Sequence, residues 1–330
     1  MDELNINDIA RKLGLAKSTV SKALNNRFDV SEKTKERVRR LVGELHYAPN
    51  HCARTLKSRR SKLVGIVMPD DVKEDFFAQL VRGLTGALAE RGYATVFASS
   101  EKAGEKAAIR EQISRRVDGF ILFPCFELDV QFINDIIGQG YKLVTVDNYV
   151  EGIDAPFVGT DFARGAYLAV KHLLDSGHRR IGHLGGPERV ASTGERIDGH
   201  RKAYREAGVE FPESLIVNCE YDEADAKDKF IRLRKDHPGM TALHCAGLMM
   251  TKGALAGMRE LGLSVPQDIS LVDFGSSTFI SSLDQKAGEL SQTAVKALLE
   301  LIDGGAVPSR SIINPTLVIR NSTRLLKDTP

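Results

Sequence analysis

The sequence predicts a small all-α head followed by a larger α/β body built on two parallel sheets. Apolar residues recur at helical spacing through about the first 45 residues, whereas strand-like apolar runs alternate with helical stretches from Leu63 onward. The length of 330 residues also exceeds that of a usual single core. Charge divides the chain at the same place, because residues 1–62 hold 15 Lys and Arg against 7 Asp and Glu.

The head begins with two predicted helices. Asn5 can cap the first helix while Asp8 returns the bond in a capping box, and Gly14 ends it. The second runs from about residue 17 to residue 24, with one apolar and one polar face. Two short helices across a three-residue turn are typical of a helix-turn-helix, whose second helix presents polar side chains to the major groove. A plain helical hairpin without a DNA role fits the same pattern.

A third helix, capped by Ser31, is predicted over about residues 32–45 and closes a three-helix core. The segment that follows, residues 50–57, has room for two turns at most, and a helix that short is marginal in water. Arginines and lysines surround Leu56 in this segment. We therefore expect the segment to fold against DNA, with Leu56 inserted between base steps of the minor groove.

Composition restricts the partners and the compartment. Residues 63–330 hold 31 Lys and Arg against 37 Asp and Glu, so a basic head precedes an acidic body, as expected of a chain that meets phosphates at one end. No apolar run approaches the ~20 residues of a membrane span, and the N-terminus is polar and acidic rather than signal-like. We expect a cytoplasmic protein with no membrane partner.

The body is predicted from a regular alternation of strands and helices. Its strand-like runs are LVGIVM, ATVFAS, GFILFP, LVTVD, PFVGTD, IGHLGG, LIVNC, TALHCA and SLVDF. This alternation indicates parallel sheets covered by helices, in which ligands bind beyond the carboxyl ends of the strands. We expect the ligand in the cleft between the two sheets.

Motifs for catalysis, cofactors and metals are weak in this sequence. It has no GxGxxG, no P-loop and no nucleophile–base or paired-carboxylate set, so we expect neither an enzyme nor a cofactor. The four cysteines stand far apart, which favours small buried thiols in a reducing compartment. His178 and His183 have no further ligands at suitable spacing, so no metal site is predicted.

The first 62 residues resemble the LacI-type family of bacterial transcription regulators. The segments NINDIARKLGLAKSTVSKALN and YAPNHCARTL match the family's DNA-binding pattern closely, although Ala16 replaces the usual serine and removes a helix cap. In the family, the second helix reads bases and the later segment enters the minor groove. The resemblance implies these DNA-binding residues: Lys17, Ser18, Thr19, Ser21, Lys22, Asn25, Asn50, Ala53 and Leu56.

The resemblance continues through AYLAVKHLLDSGHRRIGHLGGP, RIDGHRKAYREAGV and ELGLSVPQDISLVDF. It implies a two-lobed body similar to periplasmic binding proteins. The implied organisation is a helix-turn-helix domain over 1–48, a hinge helix and linker over 49–62, and an effector-binding and dimerisation domain over 63–330. Because the family's lobes exchange strands, we expect lobe one at about 63–159 and 283–309, and lobe two at about 160–282 and 310–330.

The effector pocket departs from the family pattern. Gly247-Leu248 stands in place of the usual Asn-Asp, and Asp273-Phe274-Gly275 in place of Gly-Phe-Asp. An arginine suits a carboxylate, a phosphate or vicinal hydroxyls, and aromatic side chains suit a sugar ring or a base. The implied effector-binding residues are Phe76, Phe77, Arg196, Tyr221 and Asp273.

These observations predict a sequence-specific DNA-binding regulator, a homodimeric repressor of operator DNA controlled by a small molecule such as a sugar derivative or an anionic metabolite. Control by a protein corepressor is an alternative because the pocket departs from the family pattern. A sugar-binding module without a DNA role is a further alternative, and the basic head speaks against it.

Overall fold

The structure, a computed structural model, forms two compact units, Met1–Ser61 and Lys62–Pro330, here called the head and the body. It describes residues 5–24, 26–45, 60–68, 75–99, 104–124, 128–275 and 277–326. Across these ranges, no helix combines the length and the apolar character that a membrane crossing requires.

The head contains the three predicted helices. They are α1 (Ile6–Leu13), α2 (Lys17–Leu24) and α3 (Glu32–Glu44). The capping box is formed, because the Asn5 side chain accepts a hydrogen bond from the Asn7 amide at 2.9 Å and Asp8 accepts one from the Asn5 amide at 3.1 Å. Ser31 accepts from the Thr34 amide at 3.3 Å and so caps α3, as predicted.

One buried residue from each helix meets at the centre of the head: Ile9, Val20 and Val38, each fully buried. Smaller side chains, including Ala10 and Ala23, fill the space around them. This packing fixes the rotation of each helix about its own axis. The polar residues of α2 are therefore held on the outer surface.

The body contains two six-stranded sheets. The strands of the first sheet are β1 (Leu63–Met68), β2 (Ala94–Ser99), β3 (Gly119–Leu122), β4 (Leu143–Val146), β5 (Phe157–Thr160) and β11 (Arg310–Ile313), in the order β11-β5-β4-β3-β1-β2. Those of the second are β6 (Ile181–Gly185), β7 (Ile216–Asn218), β8 (Ala242–Cys245), β9 (Ser270–Asp273), β10 (Ser281–Asp284) and β12 (Thr316–Val318), in the order β12-β10-β9-β8-β6-β7. All neighbouring strands are parallel except β10 and β12.

Helices cover both faces of each sheet. Those packed on the first sheet are α4 (Asp75–Glu90), α5 (Glu105–Ser114), α6 (Val130–Gly138) and α11 (Ala287–Ile302). Those packed on the second are α7 (Phe162–Asp175), α8 (Ala191–Glu206), α9 (Glu223–Asp236) and α10 (Leu248–Glu260). Covering both faces buries every residue of central strands such as β3, β4 and β8, and this explains their continuous apolar runs.

The chain passes three times between the sheets: after β5, after β10, and between β11 and β12. Two predicted lobe boundaries are wrong by a few residues. Residues 310–313 pair in parallel with β5 and belong to the first sheet rather than to lobe two. Residues 283 and 284 pair with β12 in the second sheet rather than opening the return to lobe one. The resemblance to a family predicts roughly where the chain crosses between the lobes. The residue at which it crosses depends on the hydrogen-bond register between the strands.

Two of the four cysteines lie in the described ranges, and both are buried free thiols, as predicted. Burial raises the pKa of Cys219 to about 12 and that of Cys245 well above its usual value. Cys52 and Cys125 lie outside the described residues.

We predict opposite effects of alanine at two exposed glycines of the head. Gly14 ends α1 with a φ of 65°, and a Cβ there would meet no atom within 4 Å, so the backbone alone makes Gly14→Ala unfavourable, by about 1 to 2 kcal/mol. Gly43 lies within α3 at a negative φ and has equal space, so Gly43→Ala should stabilise the head by about 0.5 kcal/mol. Native-state hydrogen exchange of the Val20 and Val38 amides measures both. A neutral Gly14→Ala would contradict the left-handed turn between α1 and α2.

Candidate functional site

The outer face of α2 carries the polar residues predicted to contact DNA. Val20 and Ala23 are buried on its inner face, so the helix cannot rotate without opening the head core. The outer positions are exposed at Lys17, Ser18 and Lys22 and partly buried at Thr19 and Ser21. Lysine and serine can both donate hydrogen bonds to base edges or phosphates, so this face has suitable chemistry for the major groove.

Lys22 is held by an ion pair within the head. Its Nζ lies 2.5 Å from Asp29 Oδ2, and the hydrogen bond from Lys22 keeps the pKa of the exposed Asp29 carboxyl below its usual value. The pair neutralises part of the positive charge of α2. To contact a base or a phosphate, Lys22 would have to leave or share this partner.

Four of the predicted DNA-binding residues, Asn25, Asn50, Ala53 and Leu56, lie outside the described residues. At the start of α2, the carbonyl of Ala16 accepts hydrogen bonds from the Thr19 and Val20 amides at 2.9 and 3.1 Å. The methyl side chain of Ala16 has no acceptor to offer the next amides, so a serine's contribution to capping is lost there.

The body contains a cleft of about 290 Å³. Chain segments that belong to both lobes line it. Strands β5 and β11 line one side, and the first two turns of α8 line the other. The lining residues are Asp147, Tyr149, Phe157, Thr160, Asp161, Phe162, Ala163, Ala191, Ser192, Glu195, Arg310 and Ile312. The cleft thus lies where the chain first passes from the first sheet to the second, as expected for a ligand site in this architecture.

The cleft is more acidic than basic. Asp147, Asp161 and Glu195 contribute three carboxyl groups, whereas Arg310 contributes one guanidinium. Burial raises the pKa of Glu195, and the charge of Arg310 opposes that rise. The Arg310 guanidinium also stacks on the Tyr149 ring, with 4.3 Å between the guanidinium carbon and the ring centroid. The cleft therefore offers hydrogen-bond acceptors beside a flat aromatic surface.

Arg196 lies on α8 immediately next to this cleft, but it is not among the residues that line it. Its guanidinium carbon lies 4.3 Å from the Phe162 ring centroid and 4.6 Å from that of Phe274. Its Nη1 donates to the carbonyl and hydroxyl oxygens of Ser192 at 3.2 and 2.9 Å. Cation–π contacts on two sides hold the side chain in place, and Ser192 links it to the cleft.

The other predicted effector residues also lie outside the cleft lining. Phe76 is buried in the core of the first lobe, and Phe77 packs half-buried between that core and the Phe123 ring, 6.1 Å between centroids. Asp273 is buried at the end of β9, where its Oδ2 accepts a hydrogen bond from Thr251 at 3.4 Å. Tyr221 is 43% exposed, with its hydroxyl packed over Gly186.

None of the residues that line the cleft is among those predicted from the sequence to bind the effector. Asp147 carried one usable signal, because it directly follows the strand run LVTV and so lies at the carboxyl end of a parallel strand. No sequence pattern indicates Glu195 or Arg310. Glu195 is one of several charged residues on α8, and Arg310 lies near the end of the chain. Only the strand exchange brings β11 beside β5 and so places Arg310 in the cleft.

Asp147 has an unusual environment. Burial raises its pKa from 3.8 to about 6, and the positive charge of Arg196 limits the rise. Its φ of 73° lies in the left-handed region, which aspartate and asparagine tolerate better than most residues. Because burial destabilises the ionised form of this carboxyl, a ligand's hydrogen-bond donor would stabilise that form by binding it.

We predict that Asp147→Asn stabilises the body at neutral pH. Between pH 3.8 and about 6 the folded protein binds more protons at this site than the unfolded chain, so its stability falls as pH rises through that window. The variant should lack this loss. Its free energy of unfolding should therefore exceed that of the wild type by on the order of 2 kcal/mol above pH ~6, with no difference below pH ~4. Urea denaturation across this range measures it.

The matched control is Asp154→Asn, an exposed carboxylate in the same connecting segment, which should change stability little at either pH. Equal stability of Asp147→Asn and the wild type at pH 7 would contradict the raised pKa of Asp147.

Comparisons with known proteins agree with this architecture. Residues 5–50 match the family described as bacterial regulatory proteins, lacI family, and residues 170–323 match a periplasmic binding protein-like domain. The chain is 29% identical to the HTH-type transcriptional repressor PurR of Photobacterium profundum, over 97% of this chain and 98% of that protein. It is 28% identical to the repressor CytR of Escherichia coli (strain K12), over 97% and 96% of the two chains.

A solved structure extends the match to the whole fold. The lac repressor dimer bound to operator and the anti-inducer ONPF superposes with a TM-score of 0.84 at 25% identity, covering 98% of this chain and 100% of that one. The relatives named here are transcriptional repressors rather than enzymes. The chain thus combines a DNA-binding domain of the lacI family of bacterial regulatory proteins with a periplasmic binding protein-like domain, and it is a DNA-binding transcriptional regulator.

Proposed function

We propose that the protein is a homodimeric repressor that acts in the cytoplasm, binds an operator through α2, and is controlled by a small molecule in the body cleft. The observation that carries the DNA-binding part is the polar face of α2, which the buried Val20 and Ala23 hold outward. The likeness to a lac repressor dimer bound to operator supports the same function.

A dimer follows from the size of the recognition surface. One helix of eight residues reads only a few base pairs, so selectivity requires two recognition helices on two half-sites. We propose that Asn25, Asn50, Ala53 and Leu56 complete the DNA surface, with Leu56 as the apolar wedge in the minor groove. Bending of the operator would then accompany specific binding.

The cleft favours a hydroxyl-bearing ring as the effector. Asp147, Asp161 and Glu195 can accept hydrogen bonds from hydroxyl groups, and Tyr149 supplies an aromatic surface for a ring. An anionic metabolite has only Arg310 to balance three carboxyl groups in the lining. Of the two effector classes suggested by the sequence, a sugar derivative is therefore the better fit.

A protein partner is the second candidate for control. A groove of about 470 Å³ along α7 and α8 is lined by four basic residues, Arg164, Arg201, Lys202 and Arg205, and by two acidic residues, Asp161 and Asp198. Arg201 is already paired with Asp198 and Glu213, at 3.3 and 3.2 Å, which leaves the groove moderately basic. Such a surface suits an acidic segment of a corepressor.

The DNA-binding proposal predicts a position-specific defect in Lys17→Ala. Loss of a base contact should weaken binding to an operator selected from random duplexes by roughly tenfold to a hundredfold and relax preference at one position. Lys33→Ala is the matched control, because it removes another exposed lysine of the head, on α3. Fluorescence anisotropy at fixed salt compares the two. Equal losses on operator and random duplex for both variants would exclude α2 as the recognition helix.

The effector proposal predicts that a ligand found by thermal-shift screening of sugars and sugar derivatives depends on Glu195. Glu195→Gln keeps the shape but weakens acceptance from hydroxyl groups, so the ligand-induced rise in Tm should shrink or vanish. Asp198→Asn, one turn along the same helix and outside the cleft, should keep the full rise. An unchanged rise in Glu195→Gln would place the ligand elsewhere.

A further inference from the structure

Three histidines meet inside the second lobe, outside the lining of the cleft. They are His183 on β6, His200 on α8 and His244 on β8, and each is fully buried. Their ring centroids are 4.5 to 5.0 Å apart. One ligand nitrogen from each ring lies within 4.8 Å of the other two.

The hydrogen bond of His183 fixes its tautomer. Its Nδ1 lies 3.0 Å from the backbone carbonyl oxygen of His244. A carbonyl only accepts, so Nδ1 carries the hydrogen and Nε2 carries a lone pair. That Nε2 is buried and has no hydrogen-bond partner among the described residues. A histidine that donates one ring N–H to a backbone carbonyl and leaves the other nitrogen bare has the geometry of a metal ligand.

The other two rings share one hydrogen bond. His200 Nε2 lies 2.8 Å from His244 Nδ1, so one of these nitrogens donates to the other. Whichever ring donates, the outer nitrogens, His200 Nδ1 and His244 Nε2, remain buried and without a partner in the described parts of the chain. Buried polar atoms are normally satisfied, so these nitrogens show that the cluster does not satisfy its own hydrogen-bonding capacity. An ion bound by all three rings would take one nitrogen from each and would replace the hydrogen bond between His200 and His244.

Protonation does not supply that partner. Burial lowers the pKa of His183 to about 3 and holds those of His200 and His244 well below the usual value, and the nearby charge of Arg196 opposes protonation of His183 and His244. The three imidazoles are therefore neutral at physiological pH. Neutral imidazole is the form that binds metal ions, and bonds to three nitrogens would have to outweigh the burial and the Arg196 charge that oppose a cation here.

We propose that His183, His200 and His244 form a binding site for one divalent transition-metal ion of the zinc class. Imidazole nitrogen is a preferred ligand of zinc, nickel, copper and cobalt rather than of magnesium or calcium. Ligand atoms that lie within 4.8 Å of one another would have to move closer to reach the zinc–nitrogen distance of about 2.0 to 2.1 Å, and the hydrogen bond between His200 and His244 would open. In the described residues no fourth histidine, cysteine or carboxylate joins the group, so a tetrahedral ion keeps one position open for water or an anion.

The ion would join three elements of the second lobe. His183 and His244 lie on neighbouring strands, paired in register, and His200 brings in α8. The same helix carries Ser192, Glu195 and Arg196 one to two turns earlier. A bound ion would therefore fix the helix that lines the effector cleft.

Metal titration of the full-length, chelator-stripped protein tests the proposal with Co²⁺ and Zn²⁺ as probes. We expect one ion per chain, visible ligand-field absorption of tetrahedral Co²⁺, and displacement of Co²⁺ by Zn²⁺. His200→Phe and His244→Phe remove the ligand nitrogen but keep a ring, and each should weaken Zn²⁺ binding by at least about a hundredfold. His172→Gln is the control, since this histidine of the same lobe bonds Thr323 outside the cluster and its loss should leave affinity unchanged.

The buried surroundings should accept phenylalanine, and circular dichroism of the metal-free variants checks that they fold. If a variant fails to fold, zinc X-ray absorption of the wild type decides, because it counts imidazole neighbours without any substitution. Three imidazoles support the site. Absence of stoichiometric binding, unchanged affinity in both phenylalanine variants, or zinc bound through sulfur would overturn it and leave a buried water as the missing partner. Operator binding is measured separately, so either result leaves the DNA-binding proposal standing.

Discussion

The packing of the buried Arg196 guanidinium against its neighbours is the interaction on which the body depends. A buried charge is tolerated only when its surroundings compensate for lost hydration, and here two phenylalanine rings and Ser192 do so. Phe162 begins α7 and Phe274 follows β9, so the side chain holds together segments far apart in the sequence. Its charge limits the pKa rise of the cleft carboxyls Asp147 and Glu195 and opposes protonation of two of the clustered histidines. Burial is the main cause of these pKa shifts, and the charge of Arg196 acts on both the cleft and the histidine cluster.

The exchange of strands between the lobes places the cleft next to the charge of Arg196. Because the chain leaves the first sheet after β5 and begins α7 directly, residues 160–163 line the cleft at the boundary between lobes. The return of β11 to the first sheet adds Arg310 beside β5, facing α8 across the cleft. A ligand in the cleft would therefore contact segments from both sheets. Any change in the angle between the lobes would change those contacts, which is the physical basis for control by an effector.

Local patterns predicted most of the fold and less of the site. The capping residues Asn5 and Ser31 located the head helices, because their bonds are made within a few residues. The lobe boundaries were missed because they depend on register between distant strands. Phe76 was expected beside the effector and lies in the core, since an aromatic residue near a cleft has the same sequence pattern as a core residue. The histidine cluster joins three separate elements, so no sequence spacing could indicate it, and His178 bonds Thr241 apart from that cluster.

The central claim is that occupancy of the cleft and affinity for DNA are coupled through the same body. The direct measurement is thermodynamic linkage: operator affinity of the full-length protein with and without a saturating cleft ligand, and ligand affinity with and without operator, at one salt concentration. The account predicts a change of roughly 5- to 150-fold in operator affinity and the same factor in ligand affinity. A cleft ligand that leaves operator affinity unchanged would contradict it, and control would then lie outside the cleft.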